Sequence, residues 1–150
     1  INTPEKEALS RKLFEDKCDI FTVQAISPLQ NSVDYSMIKD EYNQTMYCDS
    51  GLKDVLVCPQ PFYSMQLMAD GSVRPCCMLE AECYNLGNIK EESIYDIWNG
   101  EKLKLLQQLH LQGNRNKINA CKNCNYPKYL DNVYDNLDEN RAEILKKFSL

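Results

Sequence analysis

No stretch of this sequence approaches the roughly 18 consecutive apolar residues of a membrane-spanning helix, and nothing at its start resembles a secretory signal. No membrane partner is therefore expected, and the compartment read from these absences is reducing and cytoplasmic. Basic excess is missing too: 17 Lys and Arg stand against 22 Asp and Glu, a net charge of −5. Phosphate backbones need a basic surface, so nucleic acid is excluded as the main partner. Repeats and low-complexity segments are absent, and the six prolines are scattered. Histidine occurs once, as His110 in a leucine-rich stretch, where a packing or surface role is commoner than metal ligation.

What remains is a chain of 150 residues, 43% hydrophobic and 26% charged, the size of one ordinary domain with a real core. It opens on Ile1 rather than Met, which reads as a cut inside a longer protein. Eight cysteines are many, though fewer than a small disulfide scaffold carries. A reducing compartment favours metal ligation, while the even count leaves a disulfide framework open.

Local signals divide the chain. Thr3-Pro4-Glu5 combines a cap, a first-turn proline and an acidic first turn, and Leu9, Leu13 and Phe14 follow at helical spacing, so a helix is expected over 4–16. "CDIFTVQAI", 18–26, reads as a buried strand, with Cys18 a small core residue at its start. A helix feeding a strand is one α/β repeat, which suits the end of a larger domain, so 1–27 form one unit. Residues 28–57 are polar and irregular, a linker or wrapping loop.

Tyr63, Met65, Leu67 and Ala69 alternate with polar or less apolar neighbours. Asp70-Gly71 supplies the positive φ angles of a tight turn, and "SVRP" returns, so a hairpin is expected here. Ile94, Ile97 and Trp98 share one face of a short helix closed by Asn99-Gly100. A second helix, 101–112, stops at Gly113. The C-terminal unit, 129–150, carries an amphipathic helix from about 138, capped by Asp138 or Asn140.

Four cysteines fall where this layout brings segments together. Cys58 precedes the hairpin, Cys76 ends it, and Cys121 and Cys124 form a Cys-x-x-Cys; the gaps are seventeen, forty-four and two residues. Four thiolates from three segments are what zinc or an iron–sulfur cluster requires. Closing the two long loops costs roughly 3 and 4 kcal/mol. A bound metal centre contributes on the order of 10 kcal/mol, the scale of zinc in small domains, so the site is structural whatever else it does. A thioredoxin-type role for the Cys-x-x-Cys fits poorly, because Pro127 and polar residues follow rather than a helix.

The stretch "CPQPFYSMQLMADGSVRPCCMLEAECYNLGNIKEESIYDIWNG", with the Cys-x-x-Cys after it, resembles the auxiliary-cluster domain of radical S-adenosylmethionine (SAM) enzymes, the SPASM/twitch group. That family opens with a cysteine, a glycine about nine to fifteen residues on, and a cysteine four residues beyond. Cys58, twelve residues, Gly71, four residues, Cys76 fits, and "LGNIKEESIYDIWNG" matches the family's Leu-Gly-Asn-Ile…Ile-Trp segment.

Two departures shape what the resemblance implies. No cysteine follows Cys124, which is similar to the shorter, single-cluster form. The Cys-x-x-x-Cys-x-x-Cys of the SAM-cleaving cluster is absent, and Lys117 stands where Cys121 would need a cysteine four before it. This polypeptide alone is therefore not expected to cleave SAM.

The fold class implied is α+β: the last helix–strand of a partial (β/α) barrel, then a SPASM/twitch-like domain of a hairpin plus helices over 58–128. The cofactor implied is one [4Fe-4S] cluster on Cys58, Cys76, Cys121 and Cys124, with SAM bound only in the missing barrel. The barrel is the expected partner, generating a 5′-deoxyadenosyl radical that attacks a peptide, sugar or cyclitol substrate. The auxiliary cluster would accept an electron while the domain closes the substrate site of an oxidoreductase or maturase.

The alternative from another class is a non-catalytic four-cysteine zinc module using the same residues; zinc can also replace the cluster in protein made in air. The glycine count selects Cys76 over its neighbour Cys77. Cys48 and Cys83 are free thiols or a partial second site. Arg74 and Asn88 are candidates for hydrogen bonds that tune a cluster, or else hairpin-surface and turn residues. Trp98 is expected in the core.

Overall fold

A computed structural model describes residues 3–24, 26–30, 33–36, 45–46, 51–130 and 135–148. Helix α1 (Pro4–Phe14) starts as its sequence suggests: the Thr3 hydroxyl accepts the Lys6 N–H at 3.4 Å, with Pro4 in the first turn and Glu5 and Glu7 beside it. The helix buries none of its residues. It ends in a 3₁₀ turn, Glu15–Lys17.

The strand expected over 18–26 does not form among the described residues. Its backbone would need a neighbouring strand to satisfy its N–H and C=O groups, and the sheet of this structure contains only later segments. Ile20 is 80% exposed. Cys18, expected in a core, is also exposed, and its thiol donates to the Phe14 carbonyl at 3.3 Å. The described parts of 28–57 form no helix or strand but touch the later chain: Met46 N–H donates to the Tyr129 carbonyl at 2.8 Å.

Regular structure resumes at Cys58. The hairpin expected from Tyr63 begins later, because Pro59-Gln60-Pro61 opens one helical turn, α2 (Gln60–Tyr63), with Pro61 in its first turn. Strands β1 (Gln66–Leu67) and β2 (Ser72–Arg74) then pair antiparallel, Leu67 opposite Val73. The loop between them has one glycine with positive φ, Gly71 at 90°. Gly71 N–H donates to Met68 O, and the Asp70 carboxylate accepts from the Ser72 N–H and hydroxyl. This is the three-residue hairpin with an αL glycine rather than a two-residue turn. β3 (Gly87–Asn88) joins the other edge of β2, giving the order β1-β2-β3.

Helix α3 (Ile94–Trp98) is capped by Ser93, whose hydroxyl accepts the Asp96 N–H at 3.1 Å. Helix α4 (Glu101–Leu111) ends before Gly113, at φ +76°. Its buried residues Leu103, Leu106, Gln107, His110 and Leu111 follow helical spacing. The core joins Leu103 and Leu106 to Val73, Leu86, Ile97, Ile118 and Ala120, with Trp98 partly buried against it. Ile94, placed on the inner face by its spacing, is half exposed.

After the Cys-x-x-Cys comes a one-turn helix where polar loop was expected, α5 (Tyr126–Tyr129), followed by α6 (Arg141–Lys147). Asp138 does not cap α6. Its carboxylate accepts the Leu56 and Val57 N–H groups at 3.0 and 2.8 Å, fixing the residues that lead into Cys58.

Candidate metal centre

The hairpin sets the first two cysteines. Cys58 follows the Asp138-anchored Leu56-Val57, and Cys76 follows β2 by way of buried Pro75. The second pair sits on tight turns after α4. Cys121 N–H donates to Ile118 O at 2.9 Å and Cys124 N–H to Cys121 O at 3.2 Å. Arg115 ties that turn from one side, one guanidinium nitrogen donating to both carbonyls, Cys121 O at 3.3 Å and Cys124 O at 2.9 Å.

All four cysteines line one cavity. It encloses about 420 Å³ free of protein atoms, its open mouth included. Apolar walls come from Pro61, Pro75, Met78 and Leu106. Among the described residues no three His, Cys, Asp or Glu side chains stand close enough to hold a single ion.

The electrostatics of this ring call for a cation. Burial pushes the Cys58 thiol far above the usual thiol range, and nearby Cys76, Cys121 and Cys124 push the same way, against a hydrogen bond from Gln60 N–H. Cys121 is pushed up to about 12, by burial first and then by Cys76 and Cys124, with Arg115 opposing. Buried thiolates this close repel one another, so without metal these two sulfurs keep their protons. A bound metal centre replaces the protons and offsets the repulsion. The donor set is all thiolate, which zinc and iron–sulfur clusters both accept. The residues fit such a group.

His110 also lines the cavity, and it is fully buried. Its Nδ1 accepts the Cys58 N–H at 3.2 Å. Burial, with the Arg115 charge secondary, holds its pKa down to about 4, so the ring is neutral at pH 7. Since Nδ1 is an acceptor, the single ring proton belongs on Nε2.

The other sequence candidates stand elsewhere. Cys77 and Cys83 are exposed, and neither lines the cavity. Cys48 lies outside the described residues. Arg74 pairs with Glu82 at 3.4 Å, and the Asn88 side chain accepts the Lys90 N–H at 2.9 Å; neither is a cavity-lining residue. The polar residues that are, Gln60, His110, Arg115 and Tyr126, were not the ones singled out for that role. For His110 a signal existed: spacing from Leu103, Leu106 and Gln107 puts it on the buried stripe of α4.

Comparison with known proteins bears on this segment. Residues 58–125 match the family model of SPASM, an iron–sulfur cluster-binding domain, from the first cavity cysteine to just past the last. Over this segment the chain is similar to SPASM domains. The chain is also 38% identical over 55 residues to an S-adenosyl-L-methionine-dependent 2-deoxy-scyllo-inosamine dehydrogenase of Niallia circulans. That stretch is 37% of this chain and 22% of the relative, so the chain spans about a fifth of the relative's length. No solved structure matches. Of the two metal types that the donor set accepts, the matched family is the one described as binding iron–sulfur clusters. Among the described residues no helix is long and apolar enough to cross a membrane.

Proposed function

We propose that Cys58, Cys76, Cys121 and Cys124 hold one [4Fe-4S] cluster, and that the chain is the C-terminal auxiliary-cluster part of a radical SAM oxidoreductase or maturase. The observation that carries this is four cysteines from three segments lining one cavity within the SPASM match. Bound there, the cluster supplies a one-electron acceptor. Ligation by four cysteines leaves no iron position for substrate, so the protein's own part is to bind, insulate and orient. Pro61, Pro75, Met78 and Leu106 keep water from the sulfurs, while Arg115 and Asp138 hold the backbone of the two ligand-bearing ends.

Residues 3–26 belong, on this reading, to the edge of the SAM-binding barrel. Leu9, Leu13, Phe14, Ile20 and Ile26 are all about half or more exposed, an apolar set that a barrel would cover. The SPASM domain would close the mouth of that barrel over a peptide, sugar or cyclitol substrate; the name of the Niallia relative gives 2-deoxy-scyllo-inosamine as its substrate. A reducing, cytoplasmic compartment would keep the thiols available.

Metal and sulfide content of protein purified and reconstituted without oxygen tests the reading. About four irons and four sulfides per chain are expected, with broad visible absorbance lost in Cys121→Ala. One tightly held zinc and no sulfide, after reconstitution with iron, would replace it with a structural zinc module.

A further inference from the structure

One buried polar group in the cavity wall has no partner. The Nε2 atom of His110 makes no hydrogen bond, although the residue is fully buried. Leaving a buried N–H unmet costs about 1–3 kcal/mol, so such a group calls for a specific explanation. The opposite ring edge is already committed to Cys58 N–H, and the ring is a cavity wall.

The other polar residues lining the cavity do not offer an obvious acceptor. Arg115 has only donors. The Gln60 amide is engaged at both ends, its nitrogen donating to the Tyr63 and Tyr126 hydroxyls at 2.7 and 3.1 Å and its oxygen accepting from Ser64 at 2.7 Å. The Tyr126 hydroxyl already accepts from the Gln60 amide; the other side-chain acceptors that line the cavity are the cysteine sulfurs, with any sulfide held among them.

We propose that His110 is a positioning residue of the cluster site, donating a hydrogen bond from Nε2 to a sulfur of the cysteine-held cluster while Nδ1 fixes the Cys58 backbone. The inference rests on the cluster reading above. One imidazole thus holds both a ligand's main chain and the cluster's sulfur, the outer-shell role by which proteins orient ligands and tune potential. Hydrogen bonds to sulfur are among the features that set cluster potentials.

The chain contains a single histidine, so ¹⁵N-histidine labelling reports on His110 alone. The whole chain is reconstituted without oxygen, its iron and sulfide counted, and the reduced cluster examined by pulsed EPR. A weak ¹⁵N coupling from one imidazole nitrogen is expected. His110→Asn, whose amide oxygen can stand in for Nδ1 but which lacks the far N–H, should have a lower midpoint potential at equal iron content. His110→Gln, which restores an amide N–H near the Nε2 position, should lie closer to the native value. A loaded native cluster with no histidine coupling would overturn the proposal, as would an unmoved potential in His110→Asn. If His110→Asn does not assemble, the labelled native protein decides alone. Failure of the native chain to take up iron and sulfide would instead overturn the cluster reading, and this inference with it.

Discussion

Helices α1 and α4 are both eleven residues long and both carry leucines at helical spacing. Leu103 and Leu106 of α4 are fully buried, whereas Leu9 of α1 is 56% exposed. Composition is part of the difference, since α4 has five leucines and α1 two. The rest lies in what surrounds them: α4 meets a sheet, a 3₁₀ turn and α6, while α1 meets little beyond its own 3₁₀ continuation. An amphipathic stripe is a statement about a partner, and only one of these two helices has its partner within the described chain.

The sharpest way to widen that contrast is to remove the metal centre. The segments bearing Cys58, Cys76 and the Cys-x-x-Cys share the cavity, so its contents bear on their stability together. Chelating the iron should cost the SPASM segment on the order of 10 kcal/mol, the scale of zinc in small domains, and leave α1 unchanged. Hydrogen exchange reads both regions in one experiment: protection should collapse around Val73, Leu103 and Ile118 and stay as it was over Pro4–Phe14. Equal loss in both regions would mean that α1 belongs to the cluster-dependent unit.

Core truncation is next in size. Leu103→Ala removes a fully buried side chain from the centre of the cluster of Val73, Leu86, Ile97 and Leu106, and should cost about 2–5 kcal/mol. Leu9→Ala should change stability by less than about 0.5 kcal/mol, because it removes a side chain already in water. Denaturant midpoints of the two reconstituted variants measure the gap. Similar midpoints would mean that Leu9 is covered in solution.

A long-range polar tie gives a smaller effect. Asp138→Ala frees the Leu56 and Val57 N–H groups, at a cost of about 1–2 kcal/mol. Since those residues lead directly into Cys58, iron should also leave faster in the variant. Faster iron loss without lower stability would separate the cluster effect from the general one.

Legibility followed the same divide between local and long-range physics. The turn at Asp70-Gly71 and the end of α4 at Gly113 are written in a few neighbouring residues, and each was readable there; the Ser93 cap is equally local but was not read. The four cysteines were readable as a set because a hairpin brings its ends together and metal chemistry restricts which residues can meet. The strand expected over 18–26 does not appear among the described residues, because strand formation needs a partner that local composition cannot supply. Asp138 looked like a helix cap because an aspartate ahead of a helix usually is one; its bonds to residues 81 and 82 positions away leave no local trace. Arg115 likewise reaches two carbonyls across a turn and had no signal at all. His110 was the intermediate case: it was read as a packing or surface residue, its spacing from Leu103 and Leu106 favours the first, and only the tertiary structure supplied the cavity it faces.

The smallest effect is expected where α1 depends on itself. Arg11 sits between Glu7 and Glu15, one turn before and one after, at 2.9 and 3.1 Å, and its guanidinium lies 5.2 Å from the Phe21 ring centre. Exposed pairs of this kind add little to a packed domain. In a helix with no buried face, however, such pairs and the Thr3 cap are most of what opposes fraying. Arg11→Ala should therefore lower helical signal from α1 without shifting the denaturant midpoint of the SPASM segment. Added salt should do part of the same to the native chain, because the ion pairs are open to solvent. If Arg11→Ala moves both regions together, the two helices share a cooperative unit, and the exposed face of α1 is then read wrongly as the surface that awaits a barrel.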